Sequence, residues 1–201
     1  MANLLRSIFA TLLLLAAFAP VSSSSAQDAP PKPKPAKPRP KPKPAPAAPS
    51  IGGVQPTLLG TYGEWGAYTA SPGGNKICFA LAKPGKSDTV PANRPRDPSY
   101  LFVSSRPTEK VKDEVSIIIG YGFKPNSDAT IELGGATYAM YTQGDGAWVK
   151  NAAEEPRLIE AMRKGSDLTI KGESSRGTAT TDVYSLKGLT QALDKIDQEC
   201  Q

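Results

Sequence analysis

Two cysteines, Cys78 and Cys200, are the most reactive side chains of this 201-residue chain, which contains no histidine. Without an imidazole, the chain lacks the usual general base near neutral pH and the usual partner of a serine or cysteine nucleophile. Two thiols alone also fall short of the four ligands of a structural zinc site. In an exported chain the simplest chemistry left for them is a disulfide with each other, whereas two unrelated buried thiols are expected in a reducing compartment.

The other motifs that carry chemistry in many enzymes are incomplete in this chain. The glycine-rich pieces GYGF, GGATY and GDGAW are not followed by Lys-Ser or Lys-Thr, so they predict turns and not a phosphate-binding loop. Ser174 and Ser175 lie in GESSRG, which is not a GxSxG nucleophile motif. The carboxylates are scattered, and no spacing pairs them as an acid and a base. We therefore predict no enzyme activity and no catalytic, cofactor-binding or metal-binding residues.

Aromatic side chains form the other group of candidate binding residues. We assign them by default to the hydrophobic core, and any that are exposed would be the first candidates for binding anchors. They are Tyr62, Trp65, Tyr68, Tyr121, Phe123, Tyr138, Tyr141 and Trp148.

Short β-type runs separated by Gly, Pro, Asn and Asp must position these residues. The predicted strands are Glu64–Thr69, Lys76–Ala82, Tyr100–Ser105, Glu114–Ile119, Thr130–Leu133, Thr137–Thr142, Trp148–Lys150, Leu168–Glu173 and Thr178–Leu186. Gly134-Gly135 indicates a tight hairpin turn, Gly144–Gly146 another turn, and Ser174–Gly177 the connection of the last two strands. The segment Lys83–Ser99, rich in proline and containing Arg94 and Arg96, is predicted to be a polar surface loop that could present a ligand surface.

Two segments have the apolar period of a helix. Glu154–Lys164 places Leu158, Ile159 and Met162 on one face, and Leu189–Glu199 places Leu189, Ala192, Leu193 and Ile196 at i, i+3, i+4 and i+7. If the second helix persists, Cys200 lies on its apolar face, where Cys78 in its strand is a plausible mate. The predicted fold class is mainly β: an antiparallel β-sandwich or barrel-like domain with two short α-helices, the second C-terminal.

The first fifty residues predict export. Residues 1–26 combine a positive start, an apolar run from Ile8 to Ala19 and a small-residue cleavage site, as in a secretory signal peptide. The apolar run is too short to span a bilayer, so we expect a protein that does not span the membrane after cleavage. We predict a signal peptide over residues 1–26, a disordered Pro/Lys-rich linker over 27–50 and one β-rich domain over 51–201.

The linker holds most of the basic character of the chain. The stretch Pro30–Pro49 contains ten prolines, while residues 51–201 have 17 Lys and Arg against 18 Asp and Glu. The linker cations, which are candidates for envelope contact, are Lys32, Lys34, Lys37, Arg39, Lys41 and Lys43. Three interpretations stay open: a solvated polyproline II spacer, adhesion to an anionic envelope polymer or headgroup, and docking of a PxxP-like segment into an aromatic groove. The stretch has no aromatics for base stacking, so nucleic acid is not an expected partner.

The order of several motifs resembles one known family. They are G-x-W-x-x-Y from Gly63, the cysteine in KICFAL, YLFVSSRP, EVSIIIG, DATIELGGATYAMYTQGDGAWVKN, SSRG and a final amphipathic helix closing in Cys200. Over about residues 60–201 the chain is similar to the invasion associated locus B family of exported alphaproteobacterial proteins. Some members have additional cysteines within Tyr138–Trp148, where this chain has none, so Cys78 and Cys200 have only each other.

The resemblance implies a periplasmic or envelope-associated β-rich protein with no established enzymatic activity. The family takes its name from a role in the entry of a pathogen into host cells. We therefore expect a non-enzymatic binding or structural module, periplasmic or secreted, with an unidentified envelope or host-surface partner and a contribution to host-cell interaction. The alternative is an envelope hydrolase, or a regulator of an envelope enzyme, that uses carboxylates or tyrosine in place of histidine.

Overall fold

The computed structural model describes residues 44–201, which form eleven β-strands and two α-helices. The predicted signal peptide and the six linker cations lie outside the described residues. The strands are β1 Thr57–Tyr62, β2 Trp65–Ala70, β3 Ile77–Ala82, β4 Lys86–Val90, β5 Tyr100–Arg106, β6 Val111–Ile118, β7 Asp128–Leu133, β8 Ala136–Gln143, β9 Gly146–Val149, β10 Asp167–Glu173 and β11 Ala179–Ser185. The helices are α1 Glu155–Lys164 and α2 Leu189–Glu199, and short 3-10 turns occupy Pro72–Gly74, Pro107–Glu109 and Ala152–Glu154.

All eleven strands belong to one antiparallel sheet with the order β1-β2-β3-β5-β6-β9-β8-β7-β10-β11-β4. The prediction of a mainly β, antiparallel fold with two helices, the second C-terminal, is confirmed. Each of the nine predicted strands and both predicted helices has a counterpart in the structure. The predicted turns at Gly134-Gly135, Gly144–Gly146 and Ser174–Gly177 join β7 to β8, β8 to β9 and β10 to β11.

Two edge strands, β1 and β4, were not predicted. β4 lies inside Lys83–Ser99, so the expectation that this whole segment is a loop is wrong for Lys86–Val90. Its sequence KSDTV has no buried side chain, because an edge strand that pairs only with β11 buries little on either face. Because β4 is held by backbone hydrogen bonds to β11 and not by buried side chains, its sequence shows no apolar alternation.

The sheet rolls until strands near its two edges meet, as in the barrel-like alternative. The indole nitrogen of Trp65, on the second strand of the sheet order, donates a 2.9 Å hydrogen bond to the carbonyl of Ser185, on the tenth. Glycine permits the closure, because a Cβ added to Gly188 would lie 1.9 Å from the carbonyl oxygen of Tyr62. Gly188 also has a φ of +96°, a backbone conformation that other residues rarely adopt.

The inside of the roll is one continuous apolar core. Alternate residues of the strands point into it, among them Val115 and Ile117 of β6, as the alternation predicts. Helix α2 packs against β1, β2 and β3 through the four apolar residues of its predicted face, which are fully buried. Within residues 44–201, no helix has the length and apolar content needed to cross a bilayer.

The end of α2 is attached to β3 by a disulfide between Cys78 and Cys200, as predicted. Their Cα atoms are 6.0 Å apart and their sequence separation is 122 residues. Beside the bond, Lys76 Nζ lies 2.9 Å from Glu199 Oε1. The disulfide therefore closes a covalent loop around most of the domain.

Replacing both Cys78 and Cys200 by serine should lower the free energy of unfolding by up to about 5 kcal/mol, because the loop closed by the disulfide is long. Urea unfolding of the oxidised protein, the reduced protein and the double variant measures this loss. Reduction should also retard the protein on a denaturing gel. Two free thiols in the protein purified without reductant, detected by mass spectrometry, would contradict the pairing.

Candidate functional site

A cleft with a volume of about 890 Å³ lies between three connections of the sheet. One wall is the segment between β4 and β5, the second is the turn after β6, and the third is the hairpin turn between β10 and β11. We call it the arginine cleft, because Arg94, Arg96 and Arg176 line it together with a single carboxylate, Asp97.

Arg96 is the structural arginine of this cleft. Its side chain is 11% exposed and forms an ion pair with Asp182, on β11, whose side chain is fully buried. The same guanidinium donates to the carbonyl of Ile119 at 3.0 Å and to the hydroxyl of Ser87 at 3.1 Å. Arg96 therefore joins the β4–β5 segment to the end of β6 and to the middle of β11.

The floor of the cleft is held by a close backbone approach and by Tyr121. Gly120 has a φ of +83°, and a Cβ there would lie 2.0 Å from the carbonyl oxygen of Asp97, so glycine is required at this position. The Tyr121 hydroxyl lies 2.6 Å from Thr180 Oγ1, and burial raises the pKa of Tyr121 above its ordinary value. Tyr121 is thus a protonated hydrogen-bonding group near neutral pH.

Arg94 and Arg176 differ from Arg96 because their side chains are exposed and form no ion pair within residues 44–201. They lie on two different walls of the cleft, one before β5 and one in the β10–β11 turn. A guanidinium presents donors in a planar fork that matches carboxylate and phosphate oxygens. An anionic group in the cleft could therefore be contacted by two cations that have no acidic partner within residues 44–201.

Two carboxyl groups with raised pKa values lie elsewhere. Burial raises the pKa of Asp113, on β6, and nearby Asp197 adds to the effect. Burial also raises the pKa of Glu155, at the start of α1, with further contributions from Glu114 and Asp113. Glu155 Oε1 accepts a hydrogen bond from the Val115 amide at 3.2 Å, which attaches α1 to β6. Neither residue lines the arginine cleft. Residues 44–201 contain no group of three or more acidic, cysteine or histidine side chains placed to hold a metal ion.

The residues singled out from the sequence are distributed over several places. Cys78 and Cys200 form the disulfide and do not line the cleft. The aromatic residues Trp65, Tyr68, Phe123 and Tyr138 are buried, as expected by default. Tyr141 is 44% exposed and stacks on Trp148 with ring centroids 5.5 Å apart.

Arg176 was missed as a candidate because nothing in GESSRG suggests a partner surface. Arg94 and Arg96 were noted only as part of a segment that could present a ligand. The one sequence feature that could have indicated these arginines is that the Lys83–Ser99 segment and GESSRG both place arginine beside turn-forming residues. The two segments lie side by side because β4 pairs with β11, and the sequence does not reveal this pairing.

These features define a class of protein: a rolled antiparallel sheet locked by one disulfide and carrying an arginine-lined surface cleft. The family model described as Invasion associated locus B (IalB) protein matches residues 65–197 of this chain. The chain therefore belongs to the invasion associated locus B family. Searches of curated proteins and of solved structures gave no match.

Replacing Arg96 by methionine should destabilise the fold by about 3–5 kcal/mol, because it leaves the buried carboxylate of Asp182 without a cation. Adding Asp182→Leu to this variant should recover most of the loss, since the remaining charge is then removed. Chemical denaturation of the two single variants and the double variant measures the coupling. Additive losses would contradict a coupled pair.

Replacing Asp113 by asparagine should raise the melting temperature at pH 7. Burial raises the pKa of Asp113, so the folded state prefers the protonated form and the ionised form destabilises the fold above that pKa. The gain should shrink as the pH falls toward about 4, where the unfolded chain is protonated as well. The same change at exposed Asp167 is the control, and a gain of equal size there would contradict this assignment.

Proposed function

We propose that this protein is an exported, envelope-associated module that binds anionic groups and catalyses no reaction. The observation that carries the proposal is the pair Arg94 and Arg176, two exposed guanidinium groups that face one cleft without an acidic partner in residues 44–201. The domain as a whole has 17 basic and 18 acidic residues from 51 to 201, so the cleft is a local concentration of positive charge.

Export has two supports besides the predicted signal peptide. A disulfide forms and persists in oxidising compartments, and Cys78 and Cys200 form one. Membership of the invasion associated locus B family agrees with an extracytoplasmic protein. The protein would then be periplasmic or secreted, and finding the mature protein in the cytoplasmic fraction would contradict this part of the proposal.

The ligand class follows from the chemistry of the cleft. Arg94 and Arg176 supply charge, Tyr121 supplies a hydroxyl, and the turns between β-strands supply backbone groups. Phosphate groups match the guanidinium fork and are abundant in lipid headgroups and envelope polymers. The six linker cations would add a second, non-specific attraction to the same anionic surface.

A role in host-cell contact is the further step that the family description suggests. It would require the module to reach an outer surface, and its partner there is unidentified. A deletion strain whose association with host cells is unchanged would contradict it. The alternative of an envelope hydrolase has a weaker support. The carboxyl of Glu155 attaches α1 to β6, neither it nor Asp113 lines the cleft, and Asp97 is the one carboxylate that does.

The double variant Arg94→Ala/Arg176→Ala should weaken binding of inorganic pyrophosphate by about tenfold or more, because each guanidinium forms charge-assisted hydrogen bonds to the anion. Isothermal titration of the purified protein measures this affinity. Arg157→Ala is the matched control, since Arg157 is an exposed arginine on α1 outside the cleft. Unchanged affinity in the double variant would contradict the proposal.

Co-sedimentation with vesicles containing phosphatidylglycerol separates the cleft from the linker. Alanine at the six linker cations should remove the part of vesicle binding that falls steeply with salt. The cleft variant should instead remove the part that pyrophosphate displaces. If pyrophosphate binds and vesicles do not compete, the ligand is a soluble phosphate compound and not a lipid surface.

A further inference from the structure

A row of aromatic rings covers the outer face of strands β2, β3 and β5. Tyr68 and Phe79 stack with centroids 5.3 Å apart, Phe79 and Phe102 are 5.7 Å apart, and Tyr100 and Phe102 are 6.3 Å apart. We call these four residues the aromatic platform. They belong to a hydrophobic cluster that is separate from the core inside the roll. An apolar face of this kind must be covered or must bind something.

The proline-rich segment before the domain lies on this platform. Ala45 and Ala48 pack against the cluster, and so does Ile51. The hydroxyl of Tyr68 donates a hydrogen bond to the carbonyl of Pro46. Residues 45–49 belong to the predicted linker, so the last part of that linker is in contact with the domain.

Burial along the segment repeats every three residues. Pro44, Ala47 and Ser50 are exposed, while the pairs 45–46 and 48–49 between them are partly buried. A polyproline II helix has three residues per turn, so one face of such a helix lies on the sheet and one edge remains in solvent. Proline lacks an N–H and cannot extend the sheet as a further strand, which leaves ring contacts and the carbonyl bond as the means of attachment.

Aromatic rings under a segment with a three-residue repeat, together with a hydroxyl bond to one of its carbonyls, are typical of polyproline recognition. In that mode aromatic side chains contact a preformed proline helix, and a hydroxyl or indole group donates a hydrogen bond to a carbonyl. We propose that the aromatic platform is a polyproline-binding site and that its occupant is the chain's own segment Ala45–Pro49. The connection is short: Ile51 pairs with Val54, and β1 begins at Thr57 beside β2, so the segment is held near Tyr68 at high effective concentration.

The site has a consequence for the basic linker. Docking fixes the chain at Pro46, three residues after the last linker cation, Lys43. Beside the docked segment lies a groove of about 340 Å³, whose lining includes Pro49 and Trp148. The aromatic platform is separate from the arginine cleft, because none of the platform residues lines that cleft.

Digestion with elastase tests the docking on the mature chain beginning at Gln27. Elastase cleaves after alanine but not before proline, so the segment offers it one alanine bond, Ala47–Ala48. Docking should protect this bond relative to a free peptide of residues 42–51. Tyr68→Phe should speed the cut by about three- to tenfold, which is the effect of losing one hydrogen bond on a local opening equilibrium.

Tyr141→Phe is the matched control, because Tyr141 is exposed and lies outside the platform. It should leave the rate of this cut unchanged, and mass spectrometry of the products assigns the cut. An equal melting temperature for both variants shows that the domain stays folded. Cleavage of the wild-type chain as fast as the free peptide would overturn the proposal.

A second experiment adds a separate proline peptide to the elastase digestion. Decaproline, which elastase does not cleave, should compete for the platform and speed the Ala47–Ala48 cut in a saturable way, while a glycine-serine decapeptide should not. No effect of decaproline together with no effect of Tyr68→Phe would overturn the proposal. A dimer in solution with the same protected bond would also overturn it, because the occupant would then be the segment of a second copy.

Discussion

Three adjacent strands, β2, β3 and β5, are buried on both faces, and this constraint organises the rest of the chain. Each face must be removed from water by something outside the sheet, because apolar area costs about 25 cal/mol per Å² when exposed. Helix α2 covers the inner face of β2 and β3, and residues 45–51 contribute to covering the outer face. The last helix and the first described residues therefore enclose the same strands, and the disulfide fixes one of these two layers covalently.

The fold was predictable where local pattern and tertiary structure agree. Strand β6 alternates because only one of its faces meets the core, and α2 has its apolar residues at helical spacing because only one side packs. The platform was not predictable as a site, because the runs ICFALA and YLFV are apolar throughout and do not reveal that their second face is covered by proline and alanine. Docking of a PxxP-like segment was foreseen only as one of three alternatives, without its partner.

The candidate site was less predictable than the fold, because it depends on pairs far apart in sequence. Arg96 and Asp182 are 86 residues apart, and nothing near either residue indicates the other. The pairing follows from β4, a polar edge strand with no apolar pattern, and from the rolling of the sheet. A buried ion pair of this kind gains little net stability over apolar contacts, but it specifies one arrangement, since either charge alone is costly to bury.

The three arginines of the cleft thus have separable physical roles. Arg96 is desolvated and saturated with fixed partners, so its charge is largely cancelled by Asp182 before any ligand arrives. Arg94 and Arg176 are exposed and form no ion pair within residues 44–201, so no fixed acidic partner cancels their charge. Under the proposed function, the frame of the cleft and its binding charges belong to different residues, so surface substitution would change the ligand while the buried pair keeps the walls in place.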